Sequence, residues 1–437
     1  MTTTAEDLRD VHPERQQFSL ALAVAATLPG ICVRLFDFHL SHPVEALLFG
    51  LAIVGAAFML SWAAEVVQLD ISAGLAIAVL AFIAVLPEYA VDLVFAWKAG
   101  LAVAEYGPAC NEPGAVVASP CSLALANMTG ANRLLIGVGW SMVVFIAWYR
   151  WRQRGQRFTA VELDRPHAIE LSYLAAATVY SLTLPLKDTI NLLDAVVLVG
   201  IFVLYTIRIA SAPAEEPHLV GPARYIGTFA APQRRLSVAV LFLFSASVIL
   251  LVAEHFAEAL VATGLTLGVS EFLLVQWLAP LASEAPELLV AGLYAWRLNT
   301  NAGLGTLVSS KVNQWTLLVG TLPIVFALAS GGVAGLPVDA HQREELLLTA
   351  AQSVFAVATL LSLSISVWEA LGLFGLFWAQ FILGAIVPSE WALVERVGVS
   401  IVYLLLAAWI LFKGWGQVPR LLRDGFRTSH AELHAGE

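Results

Sequence analysis

The feature that most constrains this chain is a series of apolar runs, each about 20 residues long, separated by short polar segments. A run of this length crosses a bilayer as a helix, because a helix satisfies its own backbone hydrogen bonds. With 59% hydrophobic and 13% charged residues, the composition is far from that of a soluble domain. The runs predict an all-α polytopic membrane protein with about twelve transmembrane helices, at residues 18–37, 44–67, 72–97, 119–149, 167–186, 190–210, 235–260, 269–297, 303–330, 345–366, 368–388 and 391–413.

The distribution of lysine and arginine predicts the orientation of these helices. Short cytoplasmic loops carry an excess of basic residues. With twelve spans, the arginine-rich segments 150–165 and 208–235 and the tail 413–427 fall on one side of the membrane. We therefore expect a multi-pass protein of the plasma membrane with both termini cytoplasmic. The first seventeen residues are polar and contain acids, which favours a short tail over a cleaved signal peptide.

Several classes of function find no support in the sequence. The formal charge is -10 and no basic cluster is interleaved with aromatic residues, so a nucleic-acid partner is not expected. No HExxH motif or nucleophile elbow is present, which argues against an enzyme, and no cofactor other than a transported cation is indicated.

Cys110 and Cys121 lie near each other on a predicted outer loop. They can form a disulfide if that side of the membrane is oxidising, or they can remain two free thiols, and the sequence favours neither.

One short motif occurs twice inside these apolar runs. Pro87-Glu88 and Pro286-Glu287 are each followed, nine residues after the proline, by Ala-Trp and a basic residue. Five predicted spans lead from one copy to the next, and five is odd, so the second copy enters the membrane in the opposite direction. This is the inverted repeat of many secondary transporters.

We predict two inverted five-helix repeats plus one extra helix at each end. The predicted segments are a tail and extra helix at 1–43, a first repeat at 44–210, a cytoplasmic linker at 211–234, a second repeat at 235–388, and an extra helix with a basic tail at 389–437.

The motifs resemble those of the calcium/cation antiporter superfamily, which includes the sodium/calcium exchangers. Its repeats pair a Gly-Thr/Ser-Ser-x-Pro-Glu helix with a Gly-Asn-x-x-Gly-Ser-Asn helix. The segment 126–132 is similar to the second of these motifs, and the segment 305–311 occupies the same place in the other half. Glu254 stands thirty-three residues before Glu287, as in the family pattern. The resemblance covers about residues 44–388. It implies an exchanger that moves inorganic cations across the lipid bilayer by alternating access; protein partners are not indicated.

The chain departs from the family pattern at several positions. The hydroxyl pair before Pro-Glu becomes Ala84-Val85 in the first repeat and Ser283-Glu284 in the second. The asparagine of Gly-Ser-Asn becomes Lys311. The first half therefore has fewer side-chain oxygens than the second, and the new acid and lysine give weight to proton coupling.

Glu88 and Glu287 are the central candidates for a cation site. A charge in an apolar span costs about 3 kcal/mol, so such acids are usually functional. The neighbouring proline removes a backbone donor and frees a carbonyl oxygen. Carboxylates and carbonyls are the ligands that calcium and sodium prefer. The two glutamates are predicted metal ligands near the midplane; the alternative is that each caps a neighbouring helix.

Other polar residues in the spans extend this candidate site. Glu284 lies one helical turn before Glu287, where two nearby acids raise the pKa of one of them and make a proton carrier. Lys311 either neutralises this pair or forms a static salt bridge with it. The predicted ion-binding residues are Glu88, Glu287, Glu284, Ser283, Asn127, Asn132, Thr306, Ser310 and Gln314. The predicted charge-compensating residues are Lys311, Arg133 and Asp92. Arg133 is expected to neutralise Glu88 or Asp92 or to extend to the interface.

The leading hypothesis is a secondary-active cation antiporter that exchanges calcium or sodium against sodium or protons at the carboxylates. One alternative is a proton-coupled exchanger of monovalent cations. Another is a membrane protein that senses ions without transporting them.

Overall fold

The computed structural model describes residues 13–38, 40–70, 86–114, 118–211, 219, 221–268 and 270–434. Within these residues the protein is almost entirely helical, which confirms the predicted class. Nine helical segments of the described chain are long and apolar enough to cross a membrane. The predicted spans 72–97, 269–297 and 345–366 are not among the nine; residues 72–85 of the first of them lie outside the described residues. The number twelve remains a prediction.

The chain divides into two compact units that do not coincide with the predicted halves. The first contains residues 1–94 and 206–286, and the second contains residues 95–205 and 287–437. The divisions at 94/95 and 286/287 lie in the helices that carry the two Pro-Glu motifs. In chain order the helices are α1 Pro13–Phe36, α2 His42–Val67, α3 Leu86–Tyr106, α4 Pro120–Leu134, α5 Ser141–Gln153, α6 Ala168–Ser181, α7 Leu192–Ala210, α8 Pro222–Gly227, α9 Ala231–Leu267, α10 Glu271–Trp296, α11 Thr300–Asn313, α12 Val319–Ser330, α13 Ala340–Thr359, α14 Val367–Ile386, α15 Ala392–Lys413, α16 Val418–Phe426 and α17 His430–His434.

In the first unit, α1 and the long helix α9 pack against α2. Small residues allow the close approach of α1 and α2, as is common where membrane helices cross. A Cβ atom on Gly55 would lie 2.5 Å from the carbonyl oxygen of Ala23. Asp70, after α2, accepts hydrogen bonds from Arg234 and Arg235 at the start of α9. These bonds, chiefly that from Arg234, lower the pKa of Asp70 from 3.8 to about 2, so their stabilisation is complete above pH 3.8 and is lost as the pH falls through about 2.

In the second unit, α4 is almost completely buried and packs against α13, while α11 packs against α6. Two short antiparallel ribbons connect distant loops. One pairs β1 (Ala160–Glu162) with β4 (Ser364–Ser366), and the other pairs β2 (Thr189–Ile190) with β3 (Leu336–Pro337). β2 and β3 lie in segments that the predicted topology assigns to the same side of the membrane, and β4 falls at the end of the predicted span 345–366 that faces the side of β1.

Helix boundaries depart from the prediction at α3, which ends at Tyr106, at α9, which spans Ala231–Leu267, and at α13. The prediction 345–366 follows the apolar run, whereas the helix begins at Ala340 and ends at Thr359. The earlier start has a local cause, because Asp339 and Gln342 form a reciprocal capping box.

Cys110 and Cys121 form a disulfide, which resolves the choice that the sequence left open.

Candidate functional site

Helix α3 carries two buried acids in the first unit. Glu88 is 1% exposed and Asp92 is fully buried. Four residues separate them, so both project from the same face of the helix. Two carboxyl groups one turn apart in an apolar span attract positive charge, whether a proton or a metal ion.

The part of helix α10 that belongs to the first unit carries Ser283 and Glu284, both buried. The Ser283 hydroxyl donates to the carbonyl oxygens of Ala279 and Pro280 at 3.2 and 3.3 Å. Pro280 and Pro286 both lie inside this helix without ending it. Each lacks the N–H that a carbonyl one turn earlier would accept, so the helix offers backbone oxygens beside its acids.

Glu287 is half-buried and lies on the part of α10 that belongs to the second unit. Its Oε2 atom is buried and accepts no hydrogen bond from the part of the chain that the structure describes. A carboxylate oxygen removed from water without a donor is costly unless it binds a proton or a cation. This side chain is therefore suited to bind either one.

Lys311 of α11 contacts Asn132 of α4 in the second unit, and both were predicted site residues. The ammonium donates to the backbone oxygen and to Oδ1 of Asn132, both at 2.6 Å, and lies 5.2 Å from the centre of the Trp315 ring. Lys311 and Asn132 are fully buried. The ammonium thus binds two oxygens of the kind that coordinate a metal cation.

Arg133, the next residue of α4, forms a buried ion pair that the sequence analysis did not predict. Its Nη2 atom lies 2.8 Å from Oε2 of Glu345 on α13, and Nη1 donates to Gln380 at 3.2 Å. The two charged side chains are 2% and 7% exposed. The prediction considered only Glu88 and Asp92 as partners of Arg133. Glu345 is the first residue of the predicted span 345–366, and an acid within a hydrophobic helix was a usable signal.

The remaining predicted ligands lie on α4, on α11 or on the π-helical turn that follows α11. Asn127 is 2% exposed, Ser310 is 8% exposed and Gln314 is fully buried. The Thr306 hydroxyl donates to the carbonyl oxygen of Ala302 at 2.8 Å, which is also what a helix-packing hydroxyl does. No cluster of three His, Cys, Asp or Glu side chains suited to a metal ion occurs among the residues with described positions.

A π-helical turn follows the candidate residues in both helices. One spans Leu135–Trp140 between α4 and α5, and the other spans Gln314–Leu318 between α11 and α12. Such turns are rare and are frequent at functional sites. The two turns begin at equivalent places, three residues after Asn132 and three residues after Lys311.

Buried carboxylates, a buried lysine and irregular helical turns in a bundle of apolar helices are the features of an ion-transporting membrane protein. A family model described as sodium/calcium exchanger protein matches residues 42–210 and 237–386, which is more than half of the chain. The chain belongs to this family of ion exchangers, and the resemblance seen in the sequence is confirmed. No curated protein sequence matches the chain significantly.

Solved structures agree with this assignment. The crystal structure of the H+/Ca2+ exchanger CAX is 41% identical, with a TM-score of 0.85 over 97% of this chain and 100% of that chain. The structure of native YfkE is 13% identical, with a TM-score of 0.56 over 89% of this chain and 100% of that chain, and supports the fold alone. The chain is a cation antiporter by family.

Proposed function

We propose that this chain exchanges calcium against protons, and that the two ions compete for the carboxylates of Glu88 and Glu287. The similarity to the H+/Ca2+ exchanger CAX, 41% identical over 97% of the chain, is the observation that carries the choice of ions. The predicted repeats, residues 44–210 and 235–388, each contribute one Pro-Glu helix to this mechanism.

The chemistry of the acids supports competition between a proton and a metal ion. Glu88 is buried, and the Oε2 atom of Glu287 is buried without a hydrogen bond from the described residues. A buried carboxylate is neutralised either by a proton or by a cation, and it cannot hold both at one oxygen. Loading calcium therefore releases protons, and loading protons releases calcium.

Calcium prefers six to eight oxygen ligands, more than two carboxylates provide. Hydroxyl, amide and backbone oxygens complete the set in this proposal. The candidates are Ser283, Glu284, Asn127, Thr306, Ser310 and Gln314, together with the carbonyl groups that the prolines of α10 leave without a donor.

Lys311 supports proton coupling over sodium coupling. Its ammonium already binds both oxygens of Asn132, at 2.6 Å. A fixed positive charge at these oxygens opposes a sodium ion there, because like charges repel strongly where water is scarce. Protons bound to carboxylates can balance the charge of the exchanged calcium ion without occupying the position beside the Asn132 oxygens.

The experiment is calcium uptake into proteoliposomes that contain the full chain, with one gradient imposed at a time. We expect a pH gradient alone to drive calcium accumulation in sodium-free and potassium-free buffer. Sodium or potassium gradients at equal pH on both sides are expected to drive none.

Other outcomes identify the alternatives. Uptake driven only by sodium would contradict proton coupling. A pH gradient that moves sodium or potassium and not calcium would identify a monovalent cation exchanger. Calcium binding to the purified protein without any flux would indicate an ion sensor.

A further inference from the structure

A polar cavity lies between helix α16 and the start of α6 in the second unit. Its volume is about 320 Å³, and the charged groups that line it are Arg165, Arg420 and Asp424. Gln417 and Ser362 add an amide and a hydroxyl to the lining. One water molecule takes about 30 Å³ in the liquid, so the cavity has room for a much larger polar group.

The wall that α16 provides is held on α6 by several contacts. The Ser172 hydroxyl donates to the Leu421 carbonyl oxygen at 3.1 Å, and the rings of Tyr173 and Phe426 meet edge to face, with their centres 5.0 Å apart. A Cβ atom on Gly425 would overlap the Ser172 hydroxyl, so glycine permits the close approach of the two helices. A cavity whose walls are already in place costs little ordering free energy when a ligand enters.

The charged side chains that line the cavity sum to one positive charge. Arg165 donates to both carboxylate oxygens of Asp424, at 2.8 and 3.0 Å, and these bonds lower the pKa of that carboxyl, so the two charges cancel at neutral pH. Glu432 binds Arg165 through its backbone carbonyl at 3.4 Å, and its carboxylate does not line the cavity. Arg420 is exposed and forms no ion pair within the described part of the chain. Its guanidinium can therefore bind an anion, and a guanidinium binds two oxygens of one phosphate particularly well.

The cavity adjoins the end of a helix that is long and apolar enough to span the membrane. Helix α15 ends one residue before Gly414, and Gly414 packs against Leu361 of the cavity wall. Around this helix end, Trp409, Phe412 and Trp415 are 56%, 84% and 69% exposed. Exposed aromatic side chains at the end of a spanning helix are typical of the level of the lipid headgroups. A ligand in the cavity would therefore lie at the membrane surface.

Helix α16 has one face on the protein and one face exposed. Leu421 and Gly425 are buried, whereas Arg420, Leu422 and Arg423 are exposed. An amphipathic helix with basic residues directly after a membrane span is typical of segments that contact acidic lipids.

We propose that this cavity binds the headgroup of an acidic phospholipid, with the Arg420 guanidinium on the phosphodiester oxygens. The lipid belongs to the leaflet on the C-terminal side of α15, which the sequence predicts to be the cytoplasmic one, and its acyl chains lie beside the exposed apolar end of that helix. The single negative charge of phosphatidylglycerol matches the single positive charge of the cavity. Phosphatidylcholine also carries a quaternary ammonium group, which the guanidinium groups repel. The inference does not depend on which ions the protein exchanges.

Native mass spectrometry of the purified full-length chain in detergent measures the binding. Phosphatidylglycerol and phosphatidylcholine with the same acyl chains are titrated separately. Wild type is expected to bind one phosphatidylglycerol at least about tenfold more tightly than phosphatidylcholine, because only the first matches the charge of the cavity. Arg420→Gln is expected to lower the affinity for phosphatidylglycerol at least about tenfold, the factor that corresponds to one lost hydrogen bond between charged groups. Arg420→Lys keeps the charge without the paired donors and is expected to recover part of the affinity.

Arg423→Gln is the matched control, because Arg423 is an exposed arginine of the same helix that does not line the cavity. It is expected to leave the affinity within about twofold of wild type, since exposed charges outside a site contribute little. Equal losses in Arg420→Gln and Arg423→Gln would indicate diffuse attraction to a basic surface and would overturn the site. No loss in Arg420→Gln, or equal binding of the two lipids by wild type, would also overturn it. Glycerol phosphate at the same concentration is expected not to displace the lipid, and displacement would identify a site for soluble phosphates instead.

Discussion

Glu287→Gln and Glu88→Gln are each expected to abolish calcium antiport, with uptake falling at least about a hundredfold. An amide keeps the size of the side chain but binds neither a proton nor a divalent cation in the way a carboxylate does. Loss of one charged ligand from a buried cation costs about 3 kcal/mol, which corresponds to a factor of about a hundred in affinity. Labelled calcium uptake into proteoliposomes under a pH gradient measures the effect.

The same helices provide matched controls for this experiment. Glu105 is an exposed acid near the end of α3, and Glu271 is the first residue of α10. Glu105→Gln and Glu271→Gln remove the same charge away from the motifs and are expected to retain uptake. Wild-type uptake in Glu88→Gln and Glu287→Gln would show that the two motif acids have only a packing role.

Glu345→Gln is expected to destabilise the protein by about 4 kcal/mol, because it removes the charge of the buried carboxylate that lies 2.8 Å from the Arg133 guanidinium. Replacement of both partners, as in Arg133→Met with Glu345→Met, is expected to be less destabilising than Glu345→Gln alone, since both charges of the buried pair are then removed together. Thermal unfolding of the purified protein in detergent compares the variants.

Glu344 provides the control, because it is the neighbouring acid and binds Arg396 at 3.1 Å. Its side chain is 16% exposed, against 7% for Glu345. We expect Glu344→Gln to cost about 1 kcal/mol, as for pairs nearer the solvent. Two results would contradict the buried Arg133–Glu345 pair. One is an equal loss of stability in Glu344→Gln and Glu345→Gln. The other is a loss in the Arg133→Met, Glu345→Met double variant that equals the sum of the two single losses.

Much of the fold could be predicted from hydropathy, because a bilayer allows few backbone arrangements. The predicted span 44–67 corresponds to His42–Val67 and 391–413 to Ala392–Lys413. At α13 the prediction failed because local polar interactions decide the ends of the helix. Asp339 and Gln342 begin α13 before the apolar run, and the pairing of β4 with β1 replaces the predicted end of the same helix.

The candidate site was only partly predictable, for a different reason. Burial of Glu88, Asn132 and Lys311 follows from polar residues in apolar spans. The partners do not follow, because Arg133 meets Glu345 and Tyr205 meets Ser309 through packing of helices far apart in sequence. Ala84 and Val85, which distinguish the first repeat from the second, lie outside the described residues. The weaker side-chain chemistry of the first repeat therefore remains a prediction.

Proton release on calcium binding tests the central claim most directly. Titration calorimetry of the purified wild-type protein, in buffers with different enthalpies of ionisation, counts the protons released for each calcium bound. If calcium and protons compete for Glu88 and Glu287, binding releases protons near neutral pH, and Glu287→Gln releases fewer. Calcium binding by wild type without any proton release would contradict the account.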